Sequence, residues 1–282
     1  MRFAKYQGIG NDFVMLADPR NELELTPGLV RALSDRHFGI GADGVIRVAP
    51  GADGADLSMD YVNSDGSIGE MCGNGIRCLA IFAREEGLTD ATRLKVATGA
   101  GIMTVEVGAD GRVRVDMGAP IFEPAEIPVR WEGAEALHAK LEVGGEVIEA
   151  TCLSMGNPHA VLFVDDPEVA PVTTLGPRLE VHEAFPNRAN VEFARVATPQ
   201  RVEMRVWERG VGETLACGTG ACAAAVASRL IGGAAAEMVV ALPGGELEIE
   251  WGGSLEDRKH VFMTGPAVRS FEGEVDLEEM GR

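Results

Sequence analysis

Two cysteines, Cys72 and Cys217, each stand directly before a glycine-rich turn that opens an apolar stretch. The stretches are GEMCGNGIRCLAIFAREEG at residues 69–87 and GETLACGTGACAAAVASRLIG at residues 212–232. The N-terminus of a helix carries unpaired backbone N–H groups and the positive end of the helix dipole, so it attracts anions and lowers the pKa of a neighbouring thiol. Each stretch therefore predicts an activated thiol beside an anion site. The residues expected to form the two anion sites are Gly73, Asn74, Gly218 and Thr219.

A pair of such thiols suits the inversion of a carbon stereocentre by proton transfer. The reaction needs a base on one face of the carbon and an acid on the other, and a thiolate and a thiol supply both. Two helix N-termini directed at the neighbouring carboxylate would stabilise the carbanion as charge develops. The sequence has no pyridoxal phosphate pattern centred on a lysine and no nucleotide-binding glycine loop, so we expect no cofactor. The cysteine spacings are not the C-x-x-C of a zinc site, so we expect no metal.

The second half of the chain repeats the first at an offset of 145 residues. Asn63 then lies opposite Glu208, and with one residue of slippage GIGND around Asn11 lies opposite MGNPH around Asn157. Two motifs in the same order at nearly the same separation indicate an internal duplication. If a pseudo-twofold axis relates two lobes, the two cysteines flank one ligand from opposite sides. The matched residues are Cys72, Gly73, Gly75 and Gly87 with Cys217, Gly218, Gly220 and Gly232.

Strands dominate the elements that would position these residues. The segments IMTVEV and RVRVDM flank the turn GADG at 108–111, and KLEV and EVIEATCL flank a Gly-Gly pair at 144–145, so both predict hairpins. Further strands are expected at 202–208 and 246–251. Helices are expected at roughly 26–36, 73–86 and 218–231. Three prolines within residues 117–129 favour a connection between lobes.

Composition limits the class of partner. The chain has 282 residues, a formal net charge of −19 and 46% hydrophobic residues. A nucleic-acid partner would need a basic face, so small molecules are the expected ligands. No apolar run approaches the ~18 residues of a membrane span, and the first residues lack a signal-peptide pattern, so we expect no membrane partner and a cytoplasmic protein. In that compartment all five cysteines stay thiols, and Cys78, Cys152 and Cys222 are expected in the core.

Five motifs, in order along nearly the whole chain, resemble the diaminopimelate epimerase family. They are GNDFV, NSDGSIGEMCGNGIRC, MGNPHAV, NRANVEF and ERGVGETLACGTGACA. The resemblance implies a cofactor-independent, two-base epimerase that interconverts LL- and meso-2,6-diaminopimelate in lysine and peptidoglycan precursor biosynthesis, and a homodimer. It also implies an α+β fold of two similar lobes, each a curved, mostly antiparallel sheet around a central helix. The expected lobes are 1–117 with 265–282, carrying Cys72, and 118–264, carrying Cys217.

The resemblance also assigns roles to individual residues. In the LL-to-meso direction Cys72 would be the proton donor and Cys217 the acceptor, and His159 and Glu208 would set their protonation. The reacting carboxylate would bind Gly73-Asn74 and Gly218-Thr219. One departure is Gly44, which stands where some family members carry a glutamine ligand, so it is left out of the site. The residues expected to hold the amines and the distal carboxylate are Asn11, Asn63, Asn157, Asn190, Glu208 and Arg209.

Other functions fit parts of the pattern. A proline racemase would use the same thiol pair, but Asn190 and Arg209 would have no distal group to bind. A cysteine hydrolase or acyltransferase would use His159 as its base and leave the second cysteine motif without a purpose. A non-catalytic two-lobed binding protein would keep its ligand affinity without the cysteines. The acidic stretch EGEVDLEEM at 272–280 is expected to be a solvated terminus, preceded by Phe271 in a subunit contact.

Overall fold

The computed structural model of the chain describes residues 1–69 and 71–276. The chain forms two compact units, Met1–Val115 with the segment that begins at Thr264, and Asp116–Met263. The lobe limits expected from the sequence, at 117/118 and 264/265, stay a prediction. Residues 277–280 of the acidic stretch lie outside the described residues.

Eighteen strands and four α-helices follow one another along the described chain. The first unit contains β1 (Arg2–Gly8), β2 (Asn11–Ala17), β3 (Gly44–Pro50), β4 (Leu57–Asn63), β5 (Ile68–Gly69), β6 (Arg93–Thr98), β7 (Gly101–Val107) and β8 (Val113–Asp116), with α1 (Pro27–Ser34) and α2 (Gly73–Glu85). The second contains β9 (Ala139–Val143), β10 (Glu146–Ser154), β11 (Pro158–Phe163), β12 (Asn190–Thr198), β13 (Arg201–Glu208), β14 (Gly212–Thr214), β15 (Glu237–Leu242) and β16 (Gly245–Glu250), with α3 (Val172–Glu180) and α4 (Gly218–Ile231). The chain continues through β17 (Phe262–Gly265) and β18 (Val268–Glu274).

The two units repeat one order of strand pairing. In the first, β1–β2 is antiparallel, β2–β3 parallel, β3–β4 antiparallel, β4–β6 parallel and β6–β7 antiparallel. In the second, β10–β11, β11–β12, β12–β13, β13–β15 and β15–β16 pair in the same five senses. The predicted internal duplication is therefore confirmed at the level of topology.

Each unit packs its sheet against one buried helix. Helix α2 contacts β1, β2 and β7, and α4 contacts β11, β12 and β13. Every residue of α4 from Ala221 to Ser228 is buried. A helix buried on all sides needs small side chains if strands are to approach it from several directions, which accounts for the alanine-rich sequence of α4.

Three of the four helices and both hairpins confirm the sequence predictions. The predicted bounds of α1, α2 and α4 differ from the observed ones by no more than two residues. The hairpin β7–β8 pairs Val105 with Val115, and β9–β10 pairs Leu141 with Ile148. Residues 117–129 belong to the second unit, where Ile121 forms a bridge with Ser154.

Helix α3 was not predicted, because its sequence VTTLGPRLE disfavours a helix. It contains β-branched residues, a glycine and Pro177 within nine residues. Packing stabilises it instead, since Leu179 joins the core of the second unit beside Phe193. A Cβ at Gly176 would lie 2.6 Å from Cβ of Trp207, so only glycine allows this approach to β13.

Candidate active site

Cys72 and Cys217 are the N-cap residues of α2 and α4. Their backbones are almost identical, with φ −134° and ψ 111° at Cys72 and φ −128° and ψ 111° at Cys217. Each Sγ accepts a hydrogen bond from the third N–H of its helix, at 3.4 Å from Gly75 N and 3.3 Å from Gly220 N. A thiol sulfur thus takes the position that a Ser or Asp oxygen usually occupies at an N-cap.

Cys72 lies beside two of the predicted binding residues. Its thiol donates to Oδ1 of Asn11 at 3.6 Å, and Nδ2 of Asn74 donates to the same oxygen at 3.1 Å. Nδ2 of Asn11 donates to Oδ2 of Asp43 at 2.7 Å. Because a carboxylate only accepts, Asp43 fixes the Asn11 amide with its oxygen towards the thiol.

Asn63 ends β4, and a chain of hydrogen bonds sets the orientation of its amide. The Ser67 hydroxyl donates to Asp65 at 2.6 Å, so its oxygen accepts from Nδ2 of Asn63 at 3.0 Å. The hydrogen bonds that the hydroxyl and the backbone N–H of Ser67 donate to Asp65 hold the pKa of the Asp65 carboxyl below its ordinary value. The remaining amide atom, Oδ1, accepts from the Tyr61 hydroxyl at 2.5 Å.

Cys217 lies in a buried cluster with a carboxyl group. Its thiol lies near Glu208, whose Oε1 accepts from the Thr214 hydroxyl. The Thr219 hydroxyl is 3.6 Å from Sγ. Burial raises the pKa of Glu208, although the Thr214 hydroxyl and the Cys217 thiol oppose the shift. A proton can therefore reside on either member of the Cys217–Glu208 pair.

The prediction that the Cys217 thiol has a lowered pKa is wrong for this structure. Burial raises the pKa of Cys217 well above its ordinary value, and the charge of the nearby Glu208 raises it further. The hydrogen bonds from Thr219 and from Gly220 N act in the opposite direction and do not outweigh these effects. The helix terminus alone therefore does not decide the protonation of a thiol that is buried beside two carboxyl groups.

His159 lies at the centre of a second chain of hydrogen bonds in the same unit. Its Nδ1 is 2.7 Å from Oε1 of Glu192, and its Nε2 is 2.8 Å from Oδ1 of Asn157. The side chains of His159 and Glu192 are completely buried. A Cβ added at Gly220 would lie 2.9 Å from Oε1 of Glu192 and 3.1 Å from Sγ of Cys217. These two atoms are therefore close neighbours.

Asn190 and Arg209 meet at the end of β13. Oδ1 of Asn190 accepts from the backbone N–H of Arg209 at 2.9 Å, and its Nδ2 donates to the carbonyl of Pro158 at 3.1 Å. The Arg209 side chain is exposed and donates to the carbonyl of Asn187 at 3.3 Å. Asn190 thus joins two strand ends, and Arg209 keeps most of its guanidinium donors for other partners.

The predicted residues form two local clusters. In the first unit Asn11, Cys72 and Asn74 are in contact, and Asn63 lies on β4, which is separated by β3 from the strand of Asn11. In the second unit the clusters around Cys217 and His159 adjoin through Glu192. Sequence reasoning missed Asp43, Tyr61 and Glu192. Their only signals were positions inside quoted motifs or beside a predicted residue.

The other three cysteines are in the core, as predicted. Cys78, Cys152 and Cys222 are completely buried. Burial raises the pKa of Cys78 and of Cys152 to about 12. Neither is suited to proton exchange with a ligand at neutral pH.

Comparison with known proteins decides the family. The profile described as diaminopimelate epimerase matches residues 3–123 and 151–270. A diaminopimelate epimerase from Moorella thermoacetica is 50% identical over 283 residues, which cover 99% of this chain and 100% of that protein. One from Pelotomaculum thermopropionicum is 49% identical over 280 residues, covering 97% and 98%. The chain belongs to the diaminopimelate epimerase family.

Solved structures with the same fold extend beyond the diaminopimelate epimerase family. A phenazine biosynthesis protein of the PhzF family from Bacillus anthracis matches with a TM-score of 0.72 at 20% identity, covering 98% of this chain and 99% of that one. A hydroxyproline epimerase from Agrobacterium vitis matches with a TM-score of 0.70 at 17% identity, covering 98% and 90%. At these identities the likeness concerns the fold alone, and it confirms the predicted α+β class with two similar halves.

Gly44, the departure from the diaminopimelate epimerase pattern, lies directly against Tyr61. A Cβ at Gly44 would stand 2.6 Å from Cε2 of Tyr61 and 2.7 Å from the carbonyl oxygen of Val62. Gly69 contacts the other side of the ring, where a Cβ would be 2.2 Å from Cδ1. The tyrosine ring therefore occupies the space that a side chain at position 44 would need.

The part of the chain that the structure describes contains no metal-binding cluster and no membrane-spanning helix. Within 1–69 and 71–276, no group of three His, Cys, Asp or Glu side chains is arranged to hold a metal ion. No helix in the same ranges is long and apolar enough to cross a membrane.

Proposed function

We propose that this protein interconverts LL- and meso-2,6-diaminopimelate, in lysine and peptidoglycan precursor biosynthesis, by a two-base proton transfer without a cofactor. The observation that carries the proposal is the matched pair of cysteines at the N-caps of α2 and α4. Two thiols at equivalent helix N-caps suit the inversion of one carbon, because each acts as base for one stereoisomer and as acid for the other.

In the proposed LL-to-meso step, Cys217 accepts the proton from Cα. The Cys217 thiol first gives its own proton to the neighbouring Glu208 carboxylate. The resulting thiolate then removes the Cα proton, and the electron pair of the broken C–H bond delocalises into the adjacent carboxylate. Cys72 returns a proton to the opposite face of the carbon. In the reverse direction the two sulfurs exchange roles.

The neighbouring groups would hold the substrate during this exchange. The N–H groups at the starts of α2 and α4, with Asn74 and Thr219, suit the reacting carboxylate, since helix N-termini bind anions. The exposed guanidinium of Arg209 suits the distal carboxylate, because its planar fork can bind two oxygens. Amide groups of Asn11 and Asn63 suit an ammonium or a carboxylate.

The decisive test is incubation with LL-diaminopimelate in deuterated water under reducing conditions. Solvent deuterium is expected at Cα of the meso product, read by mass spectrometry and NMR. Cys72→Ala and Cys217→Ala are each expected to lower kcat by about a thousandfold or more, because each removes one of the two proton carriers. The matched control is Cys78→Ala, a buried cysteine of α2, which should retain inversion.

The competing functions give different results in the same assay. Turnover of proline without turnover of diaminopimelate would indicate the proline racemase alternative. Retention of inversion by the double cysteine variant would refute two-base catalysis. A binding protein would catalyse no reaction in its unmodified form, and its affinity for diaminopimelate would be unchanged after replacement of both cysteines.

We also propose that the protein is a cytoplasmic homodimer. In each subunit, the two units of the chain are the lobes that carry Cys72 and Cys217. Family membership supports the dimer, and half-exposed apolar side chains on β18, Val268 and Phe271, are suitable contact residues. Sedimentation equilibrium should give twice the 29.8 kDa mass of the chain. A monomer at micromolar concentration would contradict this part of the proposal.

A further inference from the structure

Glu192 is a completely buried carboxyl group that the proposed reaction does not use. It lies on β12 between β11, which carries His159, and β13, which carries Glu208. Its Oε1 bonds to Nδ1 of His159, while its Oε2 is buried and forms no hydrogen bond in the described part of the chain. A buried polar oxygen without a partner is costly, and much more so when it carries charge.

The hydrogen bonds of His159 limit where protons can be. Nε2 faces Oδ1 of Asn157, an acceptor, so Nε2 carries a proton. Nδ1 then either carries a second proton and faces a carboxylate, or accepts a proton from a protonated Glu192. A third arrangement reverses the Asn157 amide and leaves Glu192 charged beside a neutral imidazole.

The surroundings favour the neutral arrangement. The titratable groups near Glu192 are His159, Glu208, Cys217 and Cys152, and the last three are neutral or negative. Among residues 1–69 and 71–276, no Lys or Arg bonds to Glu192 or His159. Burial raises the pKa of Glu192, against the opposing effect of His159. A carboxylate with one bare oxygen in this setting would be poorly compensated.

We propose that Glu192 is a neutral carboxylic acid that donates to Nδ1 of His159 and so holds the imidazole in its Nε2–H tautomer towards Asn157. Glu192 is then a positioning residue. It fixes His159, which fixes the Asn157 amide with its NH2 group available to a ligand. Its neutrality also spares Cys217 a second neighbouring charge besides Glu208. The link from this tautomer to turnover rests on the proposed epimerase function, whereas the tautomer itself does not.

Two substitutions separate this arrangement from a charged pair. Gln at position 192 keeps the shape, the neutrality and a donor for Nδ1, so Glu192→Gln should keep kcat and KM for LL-diaminopimelate within about threefold. Glu192→Ala removes the donor and should lower kcat/KM by about tenfold or more. A carboxylate paired with an imidazolium predicts instead that the Gln variant loses as much as the Ala variant, and that result would overturn the proposal.

Spectra test the protonation state without any need for activity. In the unmodified protein, 15N NMR of labelled histidine should show one ring, identified by its loss in His159→Gln, with Nε2 protonated and Nδ1 an acceptor. The infrared difference between the unmodified protein and Glu192→Gln should contain the carbonyl band of a carboxylic acid. The control is Glu203→Gln on β13, where Glu203 is ion-paired with Arg195, and its difference should contain carboxylate bands. A proton on Nδ1 of His159, or carboxylate bands for Glu192, would refute the proposal even if the protein is an epimerase.

Discussion

Three asparagine amides in this protein each bond to a neighbouring side chain that bears on their orientation. Asp43 accepts from Asn11, Ser67 accepts from Asn63, and His159 faces the oxygen of Asn157. Amide oxygen and nitrogen have similar shapes but opposite hydrogen-bonding roles, so a ligand meets a defined donor or acceptor only when the amide cannot turn. Specificity at the residue scale therefore depends on side chains that need not contact the ligand.

Removal of the Tyr61 hydroxyl should weaken substrate binding more than catalysis. Tyr61→Phe leaves the ring against Gly44 but frees Oδ1 of Asn63, so the amide loses one of its two fixed partners. One hydrogen bond contributes about 1 kcal/mol, which corresponds to a rise in KM of about fivefold with kcat nearly unchanged.

Tyr6→Phe is the matched control, because Tyr6 is the only other tyrosine and its hydroxyl bonds to Glu85. The Tyr6→Phe control should change the free energy of unfolding and leave KM unchanged. Equal changes in KM for both variants would show that Tyr61 has no special effect on Asn63.

At the scale of the element, the third residue of each central helix is as constrained as its cap. Gly75 and Gly220 donate to the cysteine sulfurs, and both lack space for a side chain. A Cβ at Gly75 would lie 2.7 Å from Cδ1 of Ile46. The glycines that follow the cysteines are therefore required by packing behind the thiol as well as by access in front of it.

Gly220→Ala should disturb the thiol and the buried carboxyl together. The new Cβ would lie 2.9 Å from Oε1 of Glu192 and 3.1 Å from Sγ of Cys217, so at least one group has to move. Displacement of a proton carrier by a fraction of an ångström should lower kcat by about a hundredfold, measured with LL-diaminopimelate.

The control for this substitution is Gly28→Ala, in the exposed first turn of α1, where a Cβ meets nothing within 4 Å. It should leave kcat unchanged and raise the free energy of unfolding by up to about 1 kcal/mol. An unchanged kcat in Gly220→Ala would contradict the proposed tight packing behind Cys217.

At the scale of the whole molecule, the net charge of −19 and the individual pKa shifts act on stability in the same pH range. Burial raises the pKa of Glu192 and Glu208 above the ordinary 4.5, so their contribution is present below that value and is lost as pH rises through the folded values. Asp12 behaves oppositely. Burial alone would raise its pKa, but hydrogen bonds from Arg36 and Lys5 lower it from 3.8 to about 2.

The free energy of unfolding at low salt should therefore be greatest in mildly acidic solution. Below pH 3.8 the contribution of Asp12 declines as pH falls towards about 2. Above neutrality the raised carboxyl groups and the mutual repulsion of surface charges both destabilise the fold. Urea unfolding across this range measures the curve, and salt on the order of 0.5 M should flatten its alkaline side by screening the surface charges. Greatest stability at alkaline pH in low salt would contradict this balance.

The sequence alone determined the helix starts, the hairpins and the duplication. A helix start depends on a cap residue and the three residues after it, and a hairpin depends on its turn, so both signals are local. The same local signals identified Cys72 and Cys217 as a pair in equivalent settings. The family resemblance added roles for residues such as Asn190 and His159, which no local pattern would have assigned.

Only the tertiary structure decided which side chains surround the thiols and how they are protonated. Helix α3 forms against its local propensity because Leu179 and Gly176 pack on distant strands. Glu192 bonds to a histidine 33 residues away in the sequence, and burial together with the neighbouring Glu208 raises the pKa of Cys217 where its helix position predicted the opposite. Desolvation and charge at a site depend on residues brought together from separate parts of the chain, and no spacing within a motif encodes them.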